Sequence, residues 1–505
     1  MGRIMISAMN SGSGKTLVTM AVLAVLRRRG KGCISMKCGP DYIDPMFHSR
    51  LLGVPCRNLD LFLMGPAQVL REVAAAESRG QVVIEGAMGY YDGIGGTDEA
   101  SAYRIARSTG TPVVLVVTPK GESLSLAAKI RGMQTLREGA GIAGVILNRC
   151  SRRLYDHLKP IIERENEIPV LGFLPDMPAA AIESRHLGLV TAGEIRDLED
   201  KIRLAADAAE AGIDFDLLEQ IASGAPALAF DGGGKNECPE EAFFDKQIAA
   251  DATAARFPRC RIAVARDEAF SFYYESGFEA LRRAGAELTF FSPLRDAALP
   301  PETDALYLGG GYPELYAREL SENEAMRADI LRKLKAGLPV LAECGGFLYL
   351  GRILEGEKPA AKASSEHTPD LTAAGSSEKC AAIGGKPAAE RKQPVDMVGF
   401  LPGQAYKEKR LVRFGYACLT SETDSMLVRR GERVPCHEFH YYESTENGTG
   451  LISAKPDGTR PVACGFVNDH MYAAFPHLSL AGELPLAERF AEAAANYRKK
   501  RESKA

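Results

Sequence analysis

Between Arg3 and Phe173, short apolar runs alternate with longer stretches whose apolar residues recur at helical spacing. This alternation predicts βαβ units around a parallel sheet. The expected strands are Arg3–Ala8, Gly32–Lys37, Gln81–Glu85, Pro112–Val117, Gly144–Asn148 and Val170–Phe173. Thr16–Arg28 and Leu124–Gly139 carry a helical period between them. The stretch 231–259 opens on Gly232, Gly233 and Gly234 and continues through Pro239 into a polar, Ala-rich run. It reads as a linker between a first domain, 1–230, and a second, 260–497. A second α/β pattern starts at Arg261, with strands expected at Arg261–Ala265, Glu287–Phe291, Ala305–Leu308 and Pro339–Ala342. Residues 355–394 are rich in Ala, Ser, Lys, Glu and Gly and poor in aromatic and branched side chains. They bury too little surface to order themselves, so a disordered insertion is expected there. The pattern resumes at Val395–Phe400 and closes on a helix, Leu484–Lys499.

The chain of 505 residues is too long for one ordinary core, which fits the two-domain reading. A hydrophobic share of 46% with 25% charged residues is that of a soluble globular protein. A net charge of -4 offers no basic field for nucleic acid. No apolar run is long enough to predict a membrane span, and the N-terminus has no secretory pattern. The 11 cysteines form no CxxC pair and no metal-ligand spacing. Reduced thiols and a cytoplasmic location are expected.

Ser11, Gly12, Ser13, Gly14, Lys15 and Thr16 follow a predicted strand and open a predicted helix, the context of a phosphate-binding P-loop. The glycines let backbone N–H groups curl round phosphate oxygens, Lys15 reaches the outer phosphates, and the Thr16 hydroxyl is placed for Mg²⁺. The strict pattern has Gly where this chain has Met9. Two further clusters, Lys37–Pro45 and Glu85–Gly93, follow the second and third expected strands, at the sheet edge where such folds bind ligands. Their carboxylates are candidate oxygen ligands for Mg²⁺. In the second domain, Pro339–Ala342 leads into Glu343, Cys344, Gly345 and Gly346, then an apolar helix. A strand, a Gly-flanked thiol and a helix form the thiol version of a nucleophile elbow. The helix N-terminus is expected to lower the thiol pKa and to supply oxyanion donors. A thiol nucleophile needs a histidine base, and spacing alone leaves His440 and His477 both open. The pair His437/His440 also admits a structural metal, though no further ligand lies nearby in the sequence.

These motifs together resemble the cobyrinic acid and hydrogenobyrinic acid a,c-diamide synthase family, within the wider cobyric acid synthase-like glutamine amidotransferases. The resemblance rests on Ser11–Thr16, Lys37–Pro45, Glu85–Gly93, Ser184–Leu189, Ala265–Tyr274, Gly309–Glu314, Ala342–Gly346 and His437–His440, in order over most of the chain. It implies an N-terminal P-loop domain like dethiobiotin synthetase and a C-terminal class I glutamine amidotransferase-like α/β domain. It implies that Cys344 forms the glutamyl thioester and that His477 is its base. Asp41, Glu85 and Asp92, with Thr16, would help hold Mg²⁺. Lys37 would join the P-loop in binding ATP, and Tyr42 and Ile43 would lie near the corrinoid. The chain departs from its relatives at Ala8, at Thr118 and at Ser479, where a second His is common.

The implied reaction is an ATP-dependent amidation of the a and c carboxylates of cobyrinic acid, with glutamine as nitrogen donor. The same reaction on hydrogenobyrinic acid or nickel-sirohydrochlorin is the near alternative. A P-loop partitioning ATPase or a nucleotide-gated regulator is the distant one. The expected partners are small molecules: ATP, glutamine and the tetrapyrrole, with a homodimer left open.

Overall fold

The computed structural model describes residues 2–180, 184–185, 188–189, 198–228, 259–354 and 394–503. Apart from Arg259 and Pro394, the expected linker and the expected insertion lie outside the described residues.

Seven strands form the N-terminal sheet: β1 (Arg3–Ala8), β2 (Cys33–Cys38), β3 (Cys56–Leu59), β4 (Gln81–Glu85), β5 (Val113–Val117), β6 (Ile142–Leu147) and β7 (Val170–Phe173). Their order is β3-β2-β4-β1-β5-β6-β7, and every neighbouring pair is parallel. A sheet covered on both faces needs apolar residues at consecutive positions, and β1, β4 and β5 are buried along their whole lengths. The predicted strands agree with these to within a residue or two. β3 is the exception, because Arg57 and Asn58 make it half polar. Helix α1 (Lys15–Arg28) buries Val18, Met20, Val22, Leu23, Val25 and Leu26 between the sheet and the helix Leu198–Gly212. Each such side chain contributes roughly 1.5–3 kcal/mol of transfer free energy. Helix α2 (Ile43–Leu52) follows β2 directly, so its N-terminus sits at the carboxyl edge of the sheet beside the loop that opens α1.

The second domain has a six-stranded sheet in the spatial order Ala286–Phe291, Cys260–Ala265, Ala305–Leu308, Val340–Glu343, Met471–Ala474, Phe466–Asn468. Its strands pair in parallel except for the last, which is antiparallel. Antiparallel strands flank it, including Arg413–Thr420 and Val434–His440, and His477–Leu478 pairs on to the latter. The expected strand at Val395–Phe400 is shorter and earlier, Pro394–Asp396. The closing helix runs Leu486–Glu502. Among the described residues, no helix is long and apolar enough to cross a membrane.

The two domains share a buried core that runs from Met5 and Leu59 to Phe278 and Phe490. Polar contacts pin the seam. Arg57 on β3 donates to Glu72 at 2.9 Å in its own domain and to both oxygens of Glu279 in the other. The Tyr416 hydroxyl donates to Asp60 at 2.7 Å. These contacts explain Arg57, which holds the seam; Asn58, the other polar residue of β3, donates to the Gly39 and Asp41 carbonyls in its own domain. Arg57→Ala leaves the buried Glu72 and its neighbour Glu279 without a cation. The expected result is a loss of about 2 kcal/mol, read as a lower midpoint in urea unfolding.

Candidate active sites

The loop from Met9 to Gly14 leaves the end of β1 and enters α1. Gly12 and Gly14 take φ of 76° and 85°, the left-handed region that disfavours a side chain. A Cβ on Gly14 would also lie 2.3 Å from Asn148 Nδ2. Asn148, just past β6, donates to the Ser13 carbonyl at 2.9 Å and supports the loop from beneath. Thr118 reaches the same carbonyl at 3.5 Å. Gly14 caps α1 without a side chain, so the first-turn N–H groups are left for an anion. The Lys15 ammonium donates to the carbonyls of Met88 and Asn10. Burial, with Lys37 nearby, brings its pKa down to about 8. A phosphate arriving there would supply the negative charge that these carbonyls replace only in part.

The second cluster meets the first across Glu85. Thr16 Oγ1 donates to Glu85 at 2.6 Å, and Lys37 Nζ lies 2.8 Å from the same carboxylate. Lys37 also contacts Asp44 and stands 3.8 Å from Asp41. Burial alone would push the Lys37 ammonium down, but Asp44, Glu85 and Asp41 hold it well above its usual range. Asp44 is pushed up to about 8 by burial and by Asp41. Sequence reading missed Asp44 as a site residue, although it lies inside the motif and three residues after Asp41. Asp41 accepts the Ile43 and Asp44 N–H groups at 2.8 and 3.2 Å and so starts α2. Asp92 accepts the Gly89 N–H at 2.9 Å.

Among the described residues, no three His, Cys, Asp or Glu side chains gather into a group ready to enclose a metal. The Lys37 ammonium occupies the space between the carboxylates. The donor types still suit Mg²⁺ bound mainly through phosphate and water: the Thr16 hydroxyl and Glu85, whose Oε1 takes Thr16 and Lys37 and whose buried Oε2 faces His48 Nε2 at 3.4 Å.

In the second domain, Cys344 stands between the strand Val340–Glu343 and the helix Gly345–Leu350 with φ 48° and ψ -102°. Positive φ at a residue other than glycine is strained, and such strain is held where an elbow presents a nucleophile. Gly346 is required by contact: a Cβ there would meet the Leu308 carbonyl oxygen at 2.1 Å. The thiol pKa is raised, not lowered as expected from the sequence. Burial dominates, Glu314 and Glu343 add negative charge, and the helix behind it is only 6 residues long. A nucleophilic role for this thiol would need a base to take its proton. The nearby Gly309, whose carbonyl accepts the Gly346 N–H, gives its own N–H to the Tyr273 hydroxyl at 2.9 Å.

The three late histidines converge. His437 and His477 face each other on paired strands, ring centroids 5.1 Å apart. His440 donates Nδ1–H to the Tyr442 carbonyl at 2.6 Å and stacks on Phe475 at 4.0 Å. His477 lies against the Gly309–Gly311 loop, where a Cβ on Gly310 would approach its Cε1 to 2.4 Å. Burial, then His437 and His440, hold His477 well below its usual range, so its ring is neutral. Burial brings His437 to about 4. An unfolded chain takes up a proton at His437 near pH 6.5 that the folded chain refuses until about pH 4, so this group makes the fold less stable as pH falls through that window. His437→Gln should remove that dependence. Its stability relative to the parent is expected to improve by about 2 kcal/mol between pH 7 and 4.5, measured by denaturant titration at each pH.

Tyr42 and Ile43, expected beside the substrate, are both buried, at 9% and 6% exposure. Ile43 packs in the core that contains α1. The Tyr42 ring crosses the seam and stacks on Phe272 at 5.0 Å and Tyr274 at 4.5 Å, with His477 at 5.2 Å. Tyr42 is the N-cap of α2, so one short segment carries Asp41 and Asp44 to the phosphate side and a ring to the histidine side. A small cavity on the seam is bounded by Gly39, Pro40, Asn58, Asp60, Tyr274, Ser276 and Ser479, among others.

A P-loop domain and a thiol-elbow domain joined in this way define a glutamine amidotransferase fused to a nucleotide-binding domain. Family models agree: residues 4–190 match the CobQ/CobB/MinD/ParA nucleotide binding domain, and residues 261–371 match the CobB/CobQ-like glutamine amidotransferase domain. The cobyrinate a,c-diamide synthase of Clostridium tetani is 35% identical over 97% of this chain and 100% of its own length. The same-named protein of Thermoplasma volcanium is 35% identical over 99% of each chain. That of Clostridium acetobutylicum is 36% identical over 96% of this chain and 98% of its own. The chain belongs to the cobyrinate a,c-diamide synthase family of glutamine-dependent carbon–nitrogen ligases.

Proposed function

We propose that this protein converts the a and c carboxylates of cobyrinic acid into amides, using ATP and glutamine. The observation that carries the reading is the double-sided α2 N-terminus. Asp44 there contacts the Lys37 that binds Glu85, and Tyr42 there packs against His477. Two chemistries that must cooperate are thereby built on one segment.

Carboxylate oxygen is a poor leaving group, so the γ-phosphoryl of ATP is first transferred to it, giving an acyl phosphate and ADP. Lys15, the α1 N-terminus and Lys37 neutralise the phosphates as charge moves to the leaving ADP. Thr16, Asp41, Glu85 and Asp92, with Asp44 beside Thr16, would hold Mg²⁺, and the ion when bound would neutralise phosphate charge. In the other domain, His477 takes the Cys344 proton as sulfur attacks the glutamine amide. His440 is less suited to this role, since its ring is stacked on Phe475 and its Nε2 faces Glu438 at 3.5 Å. The imidazolium returns a proton to the leaving nitrogen, ammonia departs, and water hydrolyses the thioester to glutamate. Ammonia attacks the acyl phosphate and expels phosphate. One ATP and one glutamine are consumed per amide. Free ammonia is mostly protonated at neutral pH, so a shielded passage helps. The seam cavity is lined by Pro40, two residues before Tyr42 in the chain, and by Ser479, two after His477.

Product analysis tests the reading. Protein, ATP, Mg²⁺ and glutamine are incubated separately with cobyrinic acid, hydrogenobyrinic acid and nickel-sirohydrochlorin, and products are resolved by mass spectrometry. The a,c-diamide of cobyrinic acid is expected. Amidation of another ring alone would transfer the assignment to that ring. ATP hydrolysis with glutamine intact would point to a partitioning-type ATPase or a regulator.

A further inference from the structure

Resting on the Cys344/His477 reading, the geometry points to Glu343, the residue before the nucleophile, as the group that orients His477. A thiol and its base work as a pair only when a third group fixes the base's ring. His477 Nδ1 is buried and has no hydrogen-bond partner. Glu343 Oε2 faces it at 3.9 Å, and both side chains are almost wholly buried, at 2% and 3% exposure. Such distances tighten when substrate closes a site.

Among the described residues this carboxylate has no other cationic partner: neither its ion pairs nor the charges that shift it include Lys or Arg. Glu343 sits on a strand whose neighbours Leu341, Tyr472 and Ala474 are core residues. Burying a carboxylate there is costly, so the position needs a reason. Its Oε1 accepts the Leu478 N–H at 2.8 Å, which clamps the backbone just past His477. Its Oε2 also accepts the Tyr307 hydroxyl at 3.1 Å. The groups facing His477 from other elements are His437, His440 and Tyr42, and none of them is an anion. Glu343 is thus the acid placed to accept the Nδ1–H of His477, fix the tautomer that leaves Nε2 free for the thiol proton, and balance the imidazolium as it forms. Burial raises the Glu343 pKa to about 7, and positive charge on His477 would favour its ionised form. Sequence reading passed over it because a Glu at a strand end next to a reactive Cys looks like part of the turn.

The test compares Glu343→Gln, which keeps acceptor and donor atoms but no charge, with the parent. The kcat for glutamine hydrolysis is expected to fall on the order of 100-fold or more with KM nearly unchanged, and the pH profile of kcat/KM to shift. Amide synthesis from ammonia should persist, which reports an intact fold. A purely structural role, holding Leu478 and Tyr307, would leave kcat and the pH profile of a folded variant at parental values, and that result overturns the assignment. If Glu343→Gln fails with both nitrogen donors, Glu343→Asp decides. It keeps the charge but withdraws it from the ring, and an unchanged kcat would count against the role. Cys344→Ser is run alongside. Glutamine hydrolysis surviving there sinks the thiol reading itself, whereas survival only in the Glu343 variants removes Glu343 alone.

Discussion

Cys344→Ser should abolish glutamine use, by roughly 10³-fold or more in kcat, while amide synthesis from ammonium salts continues. The substitution changes one buried atom and keeps a residue of the same shape at the strained φ of 48°, so the fold should survive. A hydroxyl is far more reluctant than a thiol to give up its proton, and even the Cys344 thiol is held protonated by burial and by Glu314 and Glu343. The base has no margin left for a weaker acid. The synthetase half is untouched, because its phosphate and carboxylate groups lie on the other sheet. Glutamine consumption is followed by glutamate release, and synthesis by ADP release with ammonia. Glutamate still formed at the parental rate would show that another group is the nucleophile.

Lys15→Met should fail with either nitrogen donor, losing on the order of 10²–10³-fold in amide synthesis. Methionine fills the buried space of the Lys15 stem, so the variant loses charge rather than packing. Lys15 now contacts only backbone carbonyls, and its pKa of about 8 reflects burial beside a second cation. Both features describe a charge held ready for an anion. Labelling of Cys344 by a glutamine-analogue electrophile should be unaffected, which separates this loss from damage to the thiol site. A variant that still makes amide from ATP at the parental rate would remove Lys15 from the phosphate role.

The two lesions fall on different halves because the sequence writes the halves in different local patterns. Strands such as Ile4–Ala8 and Val113–Val117 are buried on both faces, so their apolar runs were legible without context. The P-loop was legible because its glycines are demanded locally, by φ at Gly12 and Gly14, and the Cys344 elbow by its strand–Cys–Gly-Gly–helix pattern, although Gly346 itself is demanded by the Leu308 carbonyl on a neighbouring strand. What escaped was set by distant parts of the chain. β3 was not among the expected strands, and the Arg57 within it answers Glu279, 222 residues away. Glu343 drew no notice because His477 comes near it only through strand pairing. Tyr42 was expected near the substrate, and the packing of its ring across the domain seam is a contact that local sequence does not show. The thiol's pKa went the wrong way because sequence shows the helix that follows but not the carboxylates and burial around it.

The central claim is that nitrogen passes from glutamine at Cys344 to a carboxylate activated at the P-loop. Cobyrinic acid, ATP, Mg²⁺ and [amide-¹⁵N]glutamine, incubated with the protein and analysed by mass spectrometry, test it directly. The account predicts a diamide carrying ¹⁵N at both new amides, with ADP and glutamate formed in step. Cobyrinic acid recovered unchanged while ATP or glutamine is consumed would contradict it.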